Sequence, residues 1–102
     1  MSVHDFTALY EQYPAVIELG PPIFTSHEFI LRLAQLNQTL HIEALHSYRN
    51  IPHREGQAPF MMVHGILSNR LHAYPHLVEY VRDVQSVDIF GQSNMCAEWR
   101  RH

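Results

Sequence analysis

Thr25-Ser26-His27-Glu28-Phe29-Ile30-Leu31-Arg32-Leu33-Ala34-Gln35-Leu36-Asn37-Gln38-Thr39-Leu40 reads as a capped helix that keeps going. Thr25 can accept the amide of the third helical residue, and Glu28 can reach back to the cap, which is the reciprocal pattern of a capping box. Phe24 and Phe29 sit where a hydrophobic staple packs. Phe29, Ile30, Leu33, Leu36, Leu40, Ala44 and Tyr48 recur every three or four residues, while Gln35, Gln38, Thr39 and Glu43 fill other positions. That spacing predicts one amphipathic helix from Ser26 to Arg49 and makes it the central strut of the fold. Asn37 and His41 lie beside the stripe, where polar groups can set the register of a helix–helix contact.

On the N-terminal side, Ser2 can cap a helix to Tyr13, with Phe6, Leu9, Tyr10 and Tyr13 as its stripe. Pro14 suits the first turn of a short helix to Leu19, and Gly20-Pro21-Pro22 stops it. On the C-terminal side, Asn50 to Ala58 is a loop punctuated by Pro52 and Gly56. Pro59 then opens a helix striped by Phe60, Val63, Leu67, Leu71 and Tyr74. Gly65 within it weakens the helix and can mark a close helix crossing. Pro75 starts a further helical turn to about Arg82. Val84 to Phe90 reads two ways: Val87 and Ile89 flank Asp88 in strand-like alternation, yet Ser86 can cap a short helix. After Gly91, Ser93 caps a last helix carrying Met95, Cys96 and Trp99 on one side, with Arg100 and Arg101 in the last turn, where cations suit the dipole. The expected fold is therefore all-α: one multi-helix domain over residues 1–102, about five helices around the long one. Near the C-terminus the reading leaves room for a helix-turn-helix corner, and the main alternative there is a short strand pair near Val84 to Ile89 making a small β wing. The expected core is Phe29, Leu33, Leu36, Leu40, Phe60, Val63, Leu67, Leu71, Phe90 and Trp99. Tyr13-Pro14-Ala15-Val16-Ile17-Glu18 and Tyr74-Pro75-His76-Leu77-Val78-Glu79 echo each other, as short amphipathic pieces do by chance.

Composition narrows the function classes. The chain has 102 residues, the length of one domain, and is 46 % hydrophobic, so it can bury a core without staples. Its single cysteine, Cys96, excludes an internal disulfide and a cysteine zinc site. The longest apolar run, Ala58 to Val63, is far short of the roughly 20 residues of a membrane helix. With Asp5 and Glu11 near the start, the N-terminus does not read as a signal peptide, and a cytoplasmic location is expected. Net charge is −3, all seven basic residues are arginine, and there are nine histidines. Mild acidity argues against coating nucleic acid through bulk charge.

The chemical motifs are few. Glu43-Ala44-Leu45-His46 has the Glu-x-x-His spacing of di-metal bundles, but no second copy exists. His72 and His76 are four apart, with Pro75 between them. Cys96, beside Met95 and Trp99, reads as a buried structural thiol rather than a nucleophile. No phosphate loop or catalytic carboxylate pair is present. No cofactor, metal or catalytic residue is therefore expected. Two function classes remain. The first is a non-enzymatic interaction or assembly protein, a homodimer pairing through apolar helix surface. The second is a helix-turn-helix-like DNA-binding regulator, because Val87-Asp88-Ile89-Phe90-Gly91-Gln92-Ser93-Asn94 resembles the turn of such domains. In that case Gln92, Asn94, Arg100 and Arg101 carry the nucleic-acid contacts and face outward together on an electropositive surface.

Overall fold

In the computed structural model, which describes residues 4–50 and 59–102, the capping box forms as read. The Thr25 hydroxyl accepts the Glu28 amide at 3.1 Å, and the Glu28 carboxylate accepts the Thr25 amide at 3.0 Å. The helix it starts, α3, ends early at Ser26–Leu36 in the order α1 (Thr7–Tyr10), α2 (Tyr13–Leu19), β1 (Ile23–Thr25), α3, α4 (Gln38–Ser47), α5 (Pro59–Arg70), a 3-10 turn (Leu71–Ala73), β2 (Val78–Val87) and β3 (Ser93–Arg101). The single long helix to Arg49 is thus corrected to two helices broken at Asn37. There the backbone leaves helical geometry (φ −137°, ψ 54°), and the Asn37 amide donates to the Leu33 carbonyl at 3.1 Å. A side chain that bonds its own helix end competes with the helical ladder.

The larger correction concerns the C-terminal third. The chain is mixed α/β, not all-α. The segment around Pro75 to Arg82, expected to be helical, and the expected last helix from Ser93 are β2 and β3. They pair antiparallel from Val78↔Arg101 to Val87↔Ser93, and β3 also pairs with β1, so the sheet order is β1-β3-β2. An irregularity between Tyr80 and Arg82 marks a bulge in β2, which lies on the sheet edge where bulges discourage stray pairing. This hairpin is no small wing, since it carries two of the three strands. Its turn is built by Asp88, whose carboxylate accepts the amides of Phe90 (2.9 Å) and Gln92 (3.0 Å). Gly91 supplies the positive φ of 84° that the turn requires. Across the strands, Arg82 pairs with Glu98 and Arg100 with Glu79. Such exposed pairs contribute about 0–1 kcal/mol each and serve register more than stability.

The core lies where α2, α3 and α5 meet the sheet. Leu9, Tyr13, Leu33, Val63, Leu67 and Leu71 are fully buried, and Phe24, Val78 and Trp99 bring the strands onto them. Among the expected core residues, Leu36 and Phe90 are instead exposed, because α3 ends at the first and the hairpin turn carries the second. Leu40 is half-buried at the edge of the cluster, and Phe60, outside it, is half-buried in the lining of a cleft. Leu33→Ala is accordingly expected to cost about 2–5 kcal/mol in urea unfolding, and Leu40→Ala distinctly less. Equal losses at the two sites would contradict this packing.

Several smaller expectations also change. The expected helix from Ser2 to Tyr13 contracts to α1, whose start is held by Asp5, which accepts the Thr7 amide and hydroxyl at 2.9 and 2.6 Å. Ser2 lies outside the described residues, as does most of the expected Asn50–Ala58 loop. Pro14 does occupy the first turn of α2. Gly65 is exposed, with no atom within 4 Å of where a Cβ would stand, so it marks no close helix crossing. The Tyr-Pro echo is not a repeat: its first copy is α2, and its second leads into β2.

Candidate recognition cleft

The four residues of the DNA reading are not brought together. Gln92 is exposed in the hairpin turn, and Asn94 donates to the Asp88 carboxylate at 3.3 Å. Arg100 and Arg101 lie at the other end of β3, about 20 Å away along an extended strand. Arg100 is paired with Glu79. The Arg101 guanidinium donates to the carbonyls of Glu18 and Gly20, both at 2.8 Å, and so satisfies the C-terminal end of α2. The helix that was to present them is a strand.

A different site appears where α3, α5 and the hairpin meet. A cleft of about 200 Å³ is lined by Ser26, His27 and Ile30 from α3, by Phe60, Met61, His64, Gly65 and Ser68 from α5, and by Asp88, Asn94, Met95 and Cys96 from the hairpin. Its rim is apolar and open to solvent: Met61 is 38 % exposed and Met95 59 %, and Phe90, 54 % exposed, packs tilted at 48° against Phe60 with ring centroids 4.4 Å apart. Cys96 is half-buried beside it, so the expected buried thiol is only partly sheltered.

Polar groups converge behind that rim. His64 Nε2 lies 2.9 Å from His41 Nε2, linking α5 to α4, and each residue is only 8 % exposed. One ring must donate and the other accept, so the pair is bonded in the neutral state. Burial holds the His41 imidazole below its usual range. Burial, then the neighbouring His41, pushes His64 down to about 4, with Asp88 pulling weakly the other way and His27 adding to the depression. Burial also disfavours the charged Asp88, but the Gln92 and Phe90 amides, the Asn94 amide and His27 outweigh it, so the carboxyl stays below the ordinary range. The Nδ1 atom of His27 is buried with no hydrogen-bond partner. Among the described residues, no three His, Cys, Asp or Glu side chains come together to hold a metal. Neither Glu43-x-x-His46 nor His72 and His76 form such a group.

Sequence reading missed this site. Asn37 and His41 were placed beside the stripe as possible register groups. Asn37 breaks the helix, and His41 turns inward to His64. The surplus of histidine was the one signal, and it does not say which imidazoles meet.

Comparison with protein-family models, with curated proteins and with solved structures finds no match. Among the described residues, no helix is long and apolar enough to cross a membrane.

Proposed function

We propose that this protein is a non-enzymatic interaction protein that recognises another protein chain through the cleft between α5 and the β2–β3 hairpin. One observation carries the reading: Met61 and Met95 line the cleft exposed to solvent, and the exposed Phe90 packs against Phe60 of the cleft lining. Aromatic and methionine side chains are the types enriched at the centres of protein contacts, and methionine adapts its shape to varied partners. Leu31, Leu36 and Ile42 on α3 and α4 are also exposed and offer apolar helix surface for pairing as a homodimer. A single unpaired cysteine suits a reducing, cytoplasmic setting.

A second reading rests on layout. A helix, a short strand, further helices and a hairpin, with the first strand paired to the last, is also how winged DNA-binding domains are arranged. In them a helix enters the major groove and the hairpin flanks it. Here α5 and the β2–β3 hairpin hold those places. The net charge of −3 and the engaged Arg82, Arg100 and Arg101 weigh on the other side.

Two measurements separate the readings. Affinity capture from the cell extract, wild type against Phe90→Ser/Met61→Ser, is expected to retain a partner that persists at high salt and disappears with the double variant. In a salt-series mobility shift on mixed genomic fragments, no retarded band is expected. A band at low salt that fades steeply as salt rises, through counterion release, would replace the first reading with the second. Light scattering tests the pairing: a monomer at every concentration removes the homodimer.

A further inference from the structure

We propose that the His41–His64 pair is an acid-sensitive latch that holds α4 against α5, so that proton uptake releases α4 while the rest of the domain stays folded. The proposal goes beyond the recognition reading, since α4 lends no residue to the cleft lining and meets it through His64.

Geometry carries it. The two imidazoles meet at Nε2···Nε2 2.9 Å with rings stacked at 22° and centroids 5.1 Å apart. Within α4 only His41 and Ala44 are buried, whereas α3 buries Ser26, Phe29, Ile30, Leu33 and Ala34. Ile42 on α4 points to solvent. Leu40 and Leu45 pack half-buried on the core and Tyr48 is buried at the C-cap, so α4 is anchored more lightly than α3 and is the more natural unit to open locally. The fully buried Leu9, Tyr13, Leu33, Val63, Leu67 and Leu71 all lie on other elements. The latch bond thus joins Ala44 and the half-buried Leu40 and Leu45 in tying α4 down.

The proton count gives the switch its direction. In the neutral pair one Nε2–H donates to the other ring's lone pair. A first proton leaves that bond in place but sets a full charge among Phe60, Phe90 and the second ring, where desolvation penalises it. A second proton leaves two donors facing each other with no acceptor. The groups around the pair do not reverse this. From α3, His27 adds like charge when protonated; from the hairpin, Asp88 attracts but has three N–H groups as partners already. On α4 itself Glu43 and His46 are exposed. His4 faces α4 at Ser47, six residues from His41.

Burial depresses both imidazoles in the closed form, and released imidazoles recover ordinary values near 6.5. Closure is therefore fully favoured above about pH 6.5 and weakens as pH falls towards the closed-state value.

Hydrogen exchange at pH 7 and pH 5, corrected for the chemical exchange rate, tests the latch. Amides of α4 are expected to lose about twentyfold in protection, the ratio given by one histidine with an open-state value near 6.5 and a closed-state value of about 4. Amides of α3 and β3 are expected to change little. Uniform loss across all elements would mean global acid unfolding and would overturn the proposal, as would unchanged protection in α4. His41→Gln/His64→Gln keeps a hydrogen-bonding pair without titration and is expected to abolish the difference between the two pH values. Should that variant not fold, imidazole 15N shifts of the wild type decide: His41 and His64 are expected to titrate below the ordinary imidazole value near 6.5. Titration of both at that ordinary value overturns the latch.

Discussion

Trp99→Ala is expected to destabilise the protein by about 3–5 kcal/mol, a large share of what a domain of this size has to lose. Trp99 sits on the central strand, paired with Phe24 of β1 on one side and Tyr80 of β2 on the other. It is 2 % exposed, and His72 meets its ring edge-on at 4.8 Å. Its indole N–H donates at 2.9 Å to the hydroxyl of Ser26, itself 1 % exposed. That bond ties the sheet to the first residue of α3. Trp99→Ala therefore opens a cavity, strips the Ser26 hydroxyl of its partner and frees the hairpin at once. Trp99→Phe keeps most of the ring and loses the donor, and about 1–3 kcal/mol is expected for the buried hydroxyl left behind. Trp99 is the sole tryptophan, so urea unfolding is followed by far-UV circular dichroism, which does not depend on it. A loss below about 1 kcal/mol for Trp99→Ala would show that the hairpin does not depend on this anchor.

The same residue explains why the C-terminal third was misread. Met95, Cys96 and Trp99 fall at helical spacing, and Ser93 before them resembles a cap. In the strand Trp99 alone of the three is buried, so the apparent stripe does not exist. Half-buried strands usually announce themselves by alternation. Here Tyr80, Val81, Arg82 and Asp83 are all exposed in succession, because the bulge interrupts the pleat and the outer part of β2 lies on a sheet edge with little packed on it. Pairing with β3, a contact distant in sequence, makes the strand, and local pattern does not encode it.

Where local chemistry decides, the sequence was legible. Thr25 and Glu28 form both bonds of the capping box, and Pro14 starts α2. The stripe of Val63 and Leu67 in α5, continued by Leu71 in the 3-10 turn, is buried as its spacing requires. Asn37 shows the limit of periodicity. The apolar stripe runs on through Leu40 and Ala44, but one amide bonding back to Leu33 ends the helix and turns the next one so that His41 faces inward. The cleft follows the same logic. His27, His41, His64 and Asp88 come from four separate segments, and only tertiary packing sets them beside one another.

Tyr13 combines both kinds of information and carries the second large effect. Its place at the end of the first apolar stripe is legible, but the expected core leaves it out, and nothing in the stripe says why it is tyrosine rather than phenylalanine. The side chain is fully buried, tilted against Phe29 at 4.8 Å and stacked with Tyr74 at 5.4 Å. Its hydroxyl donates to the Leu67 carbonyl at 2.5 Å, so the start of α2 is fastened to the last turn of α5. Burial drives the phenol well above its ordinary range, with Tyr10 and Tyr74 adding to the shift, so it stays a neutral donor at any physiological pH. Tyr13→Ala removes a filled ring site and is expected to cost about 3–5 kcal/mol. Tyr13→Phe keeps the ring and loses only the hydroxyl. Because the Leu67 carbonyl then lies buried without that donor, a loss of about 1–3 kcal/mol is expected rather than neutrality. Thermal unfolding of the two variants beside the wild type separates ring packing from the hydrogen bond. If Tyr13→Phe melts with the wild type, the bond to Leu67 contributes nothing, and α2 is held to α5 by ring packing alone.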